Sequence, residues 1–179
     1  MLRLVSVIAA GIVATTTTAC AAQETLAPPP GPSFDMVTFE MKSWGEPVVS
    51  WRITSQFGGS WTETERGDRM GNYTLVWHEI EPDAERYIEL ERILLQLPEQ
   101  APSSDDCDNF MNDLPYGTIR LTNGATTVEH AYNSGCMDED YGAFLDLLRS
   151  ANELVETWGK DAPVLRRETF VDGAPTPAP

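Results

Sequence analysis

The chain has 179 residues, of which 28 are acids and 12 are lysine or arginine, for a net charge of −16; 41% are hydrophobic. So few cations cannot displace the counterions of a phosphate backbone, which excludes nucleic acid as a partner, and an anionic headgroup surface repels the chain for the same reason. No apolar run reaches the ~20 residues that a transmembrane helix needs, so membrane contact is expected only through an anchor at the N-terminus.

Arg3 supplies a minimal positive start, Leu4 to Val13 an apolar stretch, and Thr15 to Ala19 a run of small residues ending at Cys20. That order is the order of a secretion signal over residues 1–19. Thr17-Thr18-Ala19-Cys20 resembles a bacterial lipobox, in which a small residue precedes the cysteine that is acylated and becomes the new N-terminus; Thr17 stands where that family prefers leucine. The resemblance implies lipidation of Cys20 and an exported, periplasm-facing protein anchored to a membrane. Ordinary signal-peptidase cleavage at Ala19-Cys20-Ala21, which would release a soluble periplasmic or secreted protein, is the alternative. Cysteine arithmetic favours the lipid: the chain has three cysteines, and acylation of Cys20 leaves Cys107 and Cys136 to pair in an oxidising compartment. Without residues 1–19 the chain keeps 11 cations against 28 acids, a net charge of −17. Pro28, Pro29, Pro30 and Pro32 make residues 20–33 an extended tether.

Residues 34–171, roughly 140 in number, suffice for one domain with a single core and are too few for two. Val37, Phe39 and Met41 alternate with Thr38, Glu40 and Lys42, and after a turn at Trp44-Gly45-Glu46-Pro47 the alternation returns with Val49, Trp51 and Ile53. Gly58-Gly59 reads as a two-residue hairpin turn that would set Arg52 opposite Glu65 and Thr54 opposite Glu63, with Ser60 to Arg66 as the third strand and Tyr73 to Ile80 as the fourth. Pro82 opens a helix whose stripe is Tyr87, Leu90, Leu94 and Leu97, closed by Pro98. Asn123-Gly124 joins a second hairpin, Gly117 to Thr122 and Ala125 to Tyr132, in a register that places Ile119 opposite Val128 and Gly117 opposite His130. Tyr141, Phe144, Leu145, Leu148, Ala151, Val155 and Trp158 fall on one face of a second helix, which Gly159 and Pro163 are expected to end. Residues 172–179, rich in Pro and Ala, read as a disordered tail. The prediction is an α+β domain: an antiparallel sheet of five or six strands, a meander followed by a hairpin, with both amphipathic helices on one face.

Candidate sites follow from this frame. A Cys107–Cys136 bond would draw Asp105, Asp106 and Asp108 toward Asp138, Glu139 and Asp140, a density of hard oxygen ligands suited to Ca²⁺, although the spacing is not an EF-hand and helix capping accounts for both clusters without metal. Glu40, Glu79 and Glu129 are the raw material for a carboxylate pair acting on glycan. His78 and His130 lie on separate hairpins and read as sheet residues; His78 and Glu79 are adjacent and point to opposite faces, and His130 is expected beneath the helices with a hydrogen-bonding neighbour. Trp44 in a turn and Trp61 beside glycines are the tryptophans that could mark a contact surface. Nucleophile-elbow, zinc-helix and phosphate-loop motifs are absent. The expectation is therefore a cell-envelope lipoprotein domain with a binding or structural role, its partner an envelope protein or glycan. An acidic periplasmic inhibitor of a basic hydrolase and a small carboxylate-dependent hydrolase of envelope glycan are the alternatives.

Overall fold

The computed structural model describes residues 31–176. The expected leader, the lipidation of Cys20 and the tether up to residue 30 fall outside these residues, as do residues 177–179.

Four strands form the meander: β1 (Met36–Ser43), β2 (Glu46–Thr54), β3 (Gly59–Arg66) and β4 (Tyr73–Ile80). Helix α1 (Ala84–Leu94) leads to the hairpin β5 (Tyr116–Asn123) and β6 (Thr126–Asn133), after which α2 (Glu139–Asp161) is followed by β7 (Val164–Val171) and the two-residue β8 (Ala174–Pro175). All pairings are antiparallel, in the spatial order β6-β5-β1-β2-β3-β4-β7-β8. The α+β class holds, but the sheet has eight strands where five or six were expected. The addition lies after α2: β7 pairs with β4, and Asp172-Gly173, both at positive φ (49° and 76°), turns the chain into β8. The sheet thus runs on past residue 171 into the segment read as a tail.

Alternation sends Val37, Phe39, Val49, Trp51, Ile53, Val76, Ile80, Ile119 and Leu121 to one face, where the α1 stripe Tyr87, Leu90 and Leu94 and all seven expected residues of α2 bury against them. The opposite face carries Thr38, Glu40, Ser50, Arg52, Thr118 and Arg120, none of them buried. Asp83 caps α1, its carboxylate accepting the N–H groups of Glu85 at 2.9 Å and Arg86 at 3.1 Å. Inside the core the Trp51 indole N–H donates to Asn152 Oδ1 at 3.2 Å, tying α2 to the sheet. The Tyr87 hydroxyl donates to the Phe34 carbonyl at 2.8 Å, and burial, with the nearby Glu91 charge, pushes its pKa up to about 12.

Two hairpin registers differ from expectation. Gly59 is a strand residue paired with Ile53, and the turn lies before it, closed by the Phe57 N–H to the Thr54 carbonyl at 2.9 Å. Glycine is required at 59 for close approach, since a Cβ there would stand 1.8 Å from the Arg52 carbonyl oxygen. Arg52 consequently faces Ser60 instead of Glu65, an odd shift that turns Trp61 inward opposite Trp51. In the second hairpin the turn centres on Gly124-Ala125, so His130 faces Ile119 and Val128 faces Leu121. That shift is even, and every side chain keeps the expected face.

Gly159 does not end α2. It lies within the last turn because the Trp61 ring occupies the space a side chain would need, the nearest ring atom being 2.3 Å from an ideal Cβ. Among the described residues no helix is long and apolar enough to cross a membrane.

Candidate functional site

Trp44 and Gly45 form the two-residue turn between β1 and β2, and both adopt left-handed backbone, with φ of 54° and 81°. A turn with positive φ at both central positions fits the right-handed twist of a hairpin, and Asn-Gly is its usual sequence. A Cβ-bearing residue crowds the following carbonyl there, at a cost of about 1–2 kcal/mol. The tryptophan that bears this cost is 61% exposed.

Next to it runs the loop from Cys107 to Pro115. Cys107 is disulfide-bonded to Cys136, the Cα atoms 5.8 Å apart, as the cysteine count predicts. Phe110 pairs with Cys136 in an isolated antiparallel bridge, the Met111 N–H donates to the Gly135 carbonyl at 2.7 Å, and the Met137 N–H donates to the Asn109 carbonyl at 2.9 Å. Asp138 completes the fastening: its carboxylate accepts the N–H of Asp108 at 2.9 Å and of Asn109 at 3.1 Å, and the Asp108 N–H above all holds its pKa below the usual carboxylate value. The loop is thereby held along the end of β6, and it turns Phe110, Met111 and Met137 outward. Trp44, Phe110, Leu114 and Tyr116 form a tip and, together with Asn112, Asp113 and Asn133, line a shallow depression of about 330 Å³; Met111 and Met137 are exposed beside the bridge at Cys136 without being part of that lining.

Exposed aromatic side chains gathered at one place supply apolar contact area, which is the equipment of a recognition surface. The tip stands at the end of β1 opposite to the point where the chain enters the domain. Ser33, at that entry, donates its N–H to Glu91 Oε1 at 2.5 Å and accepts the Asn123 side-chain N–H at 2.8 Å. The eight residues of β1 between the two ends span about 26 Å at ~3.3 Å per residue.

The six acids Asp105, Asp106, Asp108, Asp138, Glu139 and Asp140 do not assemble into one coordination set. Asp108 and Asp138 are brought together, but through a backbone N–H; Asp105 and Asp106 sit in a 3-10 turn whose Ser103 hydroxyl caps the Asp105 N–H at 3.1 Å, and Glu139 and Asp140 open α2. Among the described residues the one group of three or more ligand-type side chains with donor atoms within 4.8 Å of one another is Cys107, Cys136 and Asp138, and its two sulfurs are bonded to each other. These residues do not fit Ca²⁺, which takes six to eight oxygens.

Glu40, Glu79 and Glu129 share the helix-free face and stay apart. Glu40 lies 3.5 Å from Lys42, Glu129 is paired with Arg120, and Glu79 is on β4, with β2 and β3 between it and β1. Glu40 and Glu79 open onto different depressions. His78 is buried on the opposite face from Glu79, its Nδ1–H donating to the Ala162 carbonyl at 3.0 Å, with Nε2 facing Glu63 Oε1 at 3.4 Å without the alignment of a hydrogen bond. His130 is 2% exposed beneath α2, its ring edge-to-face with Phe144 at 6.2 Å, and burial lowers its pKa. An aromatic ring stands where a hydrogen-bonding neighbour was expected. Trp61 is buried, which leaves Trp44 as the surface tryptophan of the two.

Sequence reasoning missed Phe110, Leu114 and Tyr116. Phe110 follows Cys107 by three residues, so the disulfide itself was the signal that could have found it.

No protein-family model matches the chain, and a search of the curated proteins finds no match to it.

Proposed function

We propose that this protein is a non-enzymatic binding module of the bacterial cell envelope, exported by residues 1–19, acylated at Cys20 and facing the periplasm, which engages an envelope protein through the tip formed by Trp44, Phe110, Leu114 and Tyr116. The observation that carries the reading is Trp44: a bulky, exposed side chain held in a backbone conformation that favours Asn or Gly. Strain kept at an exposed apolar residue is what a selected contact would leave behind. The position of the tip supports the same reading, since a tether entering at Ser33 would leave it at the far end of the sheet.

The test is a photo-crosslinking amino acid placed at Trp44 in cells, against the same probe at Glu85 on the solvent side of α1. A discrete adduct from position 44 alone is expected, together with its loss in a Phe110→Ala background whose melting temperature is unchanged. Equal labelling from both positions would remove the tip as the contact. The envelope address has its own readout: intact mass of the mature chain should show acyl modification on Cys20, and an unmodified N-terminus at Ala22 on protein free in the periplasm would overturn it.

The acidity of the chain supports a second reading, in which the partner is a basic hydrolase that the module inhibits. A net charge of −16 would steer such a partner, so association should slow steeply as salt rises from about 0.05 to about 0.5 M, over which the Debye length falls from roughly 14 to 4 Å.

A further inference from the structure

β6 is one edge of the sheet, and among the described residues no strand pairs with its outer side. The Ser134 N–H donates to the Pro115 carbonyl at 2.9 Å, and this fixes the ladder: alternate residues from there, Tyr132, His130 and Val128, turn their N–H and C=O groups toward β5. The groups of Thr127, Glu129 and Ala131 therefore face away from the sheet. The Asn133 N–H, next in that outward series, is taken by the Tyr141 hydroxyl at 2.8 Å, so the open edge ends there. The other edge is protected by other means. β8 has two residues, one of them Pro175, and β7 beneath it carries Arg166, Arg167 and Glu168. β6, by contrast, is an eight-residue strand without proline, and Glu129 is its one charged residue.

Directly beneath this edge lies an apolar cleft of about 460 Å³ between the end of α1 and the hairpin, lined by Leu94, Leu95, Leu97, Leu121, Val128 and His130 among others. Val128 and His130 are the inward side chains of β6 itself. Burial lowers the pKa of His130, so a neutral ring faces the cleft at neutral pH. A row of unpaired amides with a cleft beneath its inward side chains meets two requirements at once: the first asks for a backbone, the second for alternate apolar side chains. A lipid chain could fill the cleft but would leave the amides unpaired.

We propose that β6 is a strand-addition site for an extended peptide segment of a partner protein, with apolar residues at alternate positions entering the cleft and lysine or arginine between them. Charge selects this occupant. The chain carries −16, and the peptide residue paired with Glu129 would share its helix-free face, where Glu129 is the one charged residue of β6. A second copy is disfavoured on the same ground, because two antiparallel β6 strands paired about their middle would bring Glu129 beside its twin. The site lies at the tether end of the sheet, apart from the Trp44 tip, and does not depend on that tip's role.

The test uses the full chain and a panel of fluorescent decapeptides alternating Val, Leu or Phe with Lys, read by anisotropy. At least one peptide should bind. N-methylation of the alternate amides on its β6-facing edge should weaken binding at least tenfold, whereas methylation of the other set should change it less than twofold. Ala131→Pro, which removes one outward N–H at an edge position where proline is tolerated, should also cost at least tenfold with an unchanged melting temperature; if that variant unfolds, the two methylated peptides still decide. Trp44→Asn should leave peptide binding intact, which separates this site from the tip. The proposal is overturned if no peptide in the panel binds, if the two methylated forms bind alike, if palmitate binds while the peptides do not, or if the chain alone sediments as a dimer that Ala131→Pro dissociates.

Discussion

At Gly159 two opposing effects can be weighed. Alanine there would gain helix propensity worth about 1 kcal/mol, but its Cβ would stand 2.3 Å from the ring of Trp61, which is 1% exposed and has no room to move. Overpacking of that kind costs about 1–3 kcal/mol or more, so Gly159→Ala should lower the denaturant midpoint, against the direction helix propensity alone predicts. Trp44 runs the other way. Trp44→Asn relieves a left-handed bulky residue and should raise stability by roughly 1 kcal/mol while abolishing the crosslink from a probe placed at Tyr116; a variant that is both more stable and still crosslinked from there would show that the strain has no functional origin. His130 ties stability to pH. Its folded pKa lies below the ordinary 6.5, so the unfolded chain binds the proton first, and stability is full above 6.5 and falls as pH drops from there through the folded value. His130→Gln should remove that slope at a cost of roughly 1 kcal/mol at neutral pH, measured by urea unfolding between about pH 5 and 8, where histidine titrates.

The elements that came through the sequence reading are those whose pattern survives small errors of register. The stripe from Tyr141 to Trp158 is buried as predicted because seven residues at helical spacing specify one face however the ends are drawn. The second hairpin slipped by two residues without consequence, since an even slip keeps each side chain on its face. The first hairpin did not have that protection: Gly58-Gly59 looked like a turn, but Gly59 is needed to clear the Arg52 carbonyl, and the odd shift that results is what buries Trp61. β7 was illegible for a different reason. Its charges hide the alternation, and it is fastened from outside by Arg166 over the Trp77 ring at 3.8 Å, Tyr73 stacked on Phe170 at 4.7 Å, and Arg167 paired with Glu65 at 2.8 and 2.9 Å. The Asp172-Gly173 turn was the available signal. The start of α2 shows the same limit in the site: Asp138 reads as a cap, yet its carboxylate caps nothing in its own helix and holds the Asp108 and Asn109 amides instead. Its pKa is lowered in the folded state, so this contribution is present above the ordinary 3.8 and is lost as pH falls from there through the folded value. The melting temperatures of the parent and Asp138→Asn should differ at pH 6 and converge toward about pH 2, well below the usual carboxylate range.

One covalent bond links the stability of the domain to the shape of its candidate contact surface. The ring closed by Cys107 and Cys136, 29 residues apart, contains the whole β5–β6 hairpin, and by loop entropy such a bond contributes ~3 to 4 kcal/mol to a domain whose total stability is of the order of 5–15 kcal/mol. The sheet and the α2 stripe have other fastenings, because β5 inside the ring is paired with β1 along its length and its Ile119 and Leu121 pack in the common core. The tip depends on it: Phe110 is turned outward by the bridge at Cys136 and the two backbone bonds beside it. Replacing both cysteines by serine should therefore separate two properties. Far-ultraviolet circular dichroism should keep its strand and helix signal at room temperature, with the urea midpoint lowered in keeping with a loss of ~3 to 4 kcal/mol. Amide exchange in the segment from Asp108 to Leu114 should rise toward that of an unprotected loop, since the Met111 N–H and its neighbours would lose a fixed partner. The crosslink from Trp44 should fall with it, although Trp44 lies on the other side of the depression and keeps its own turn. Retention of the crosslink with exchange raised would mean that Trp44 alone makes the contact and that the disulfide-held loop is part of the fold without being part of the recognition surface.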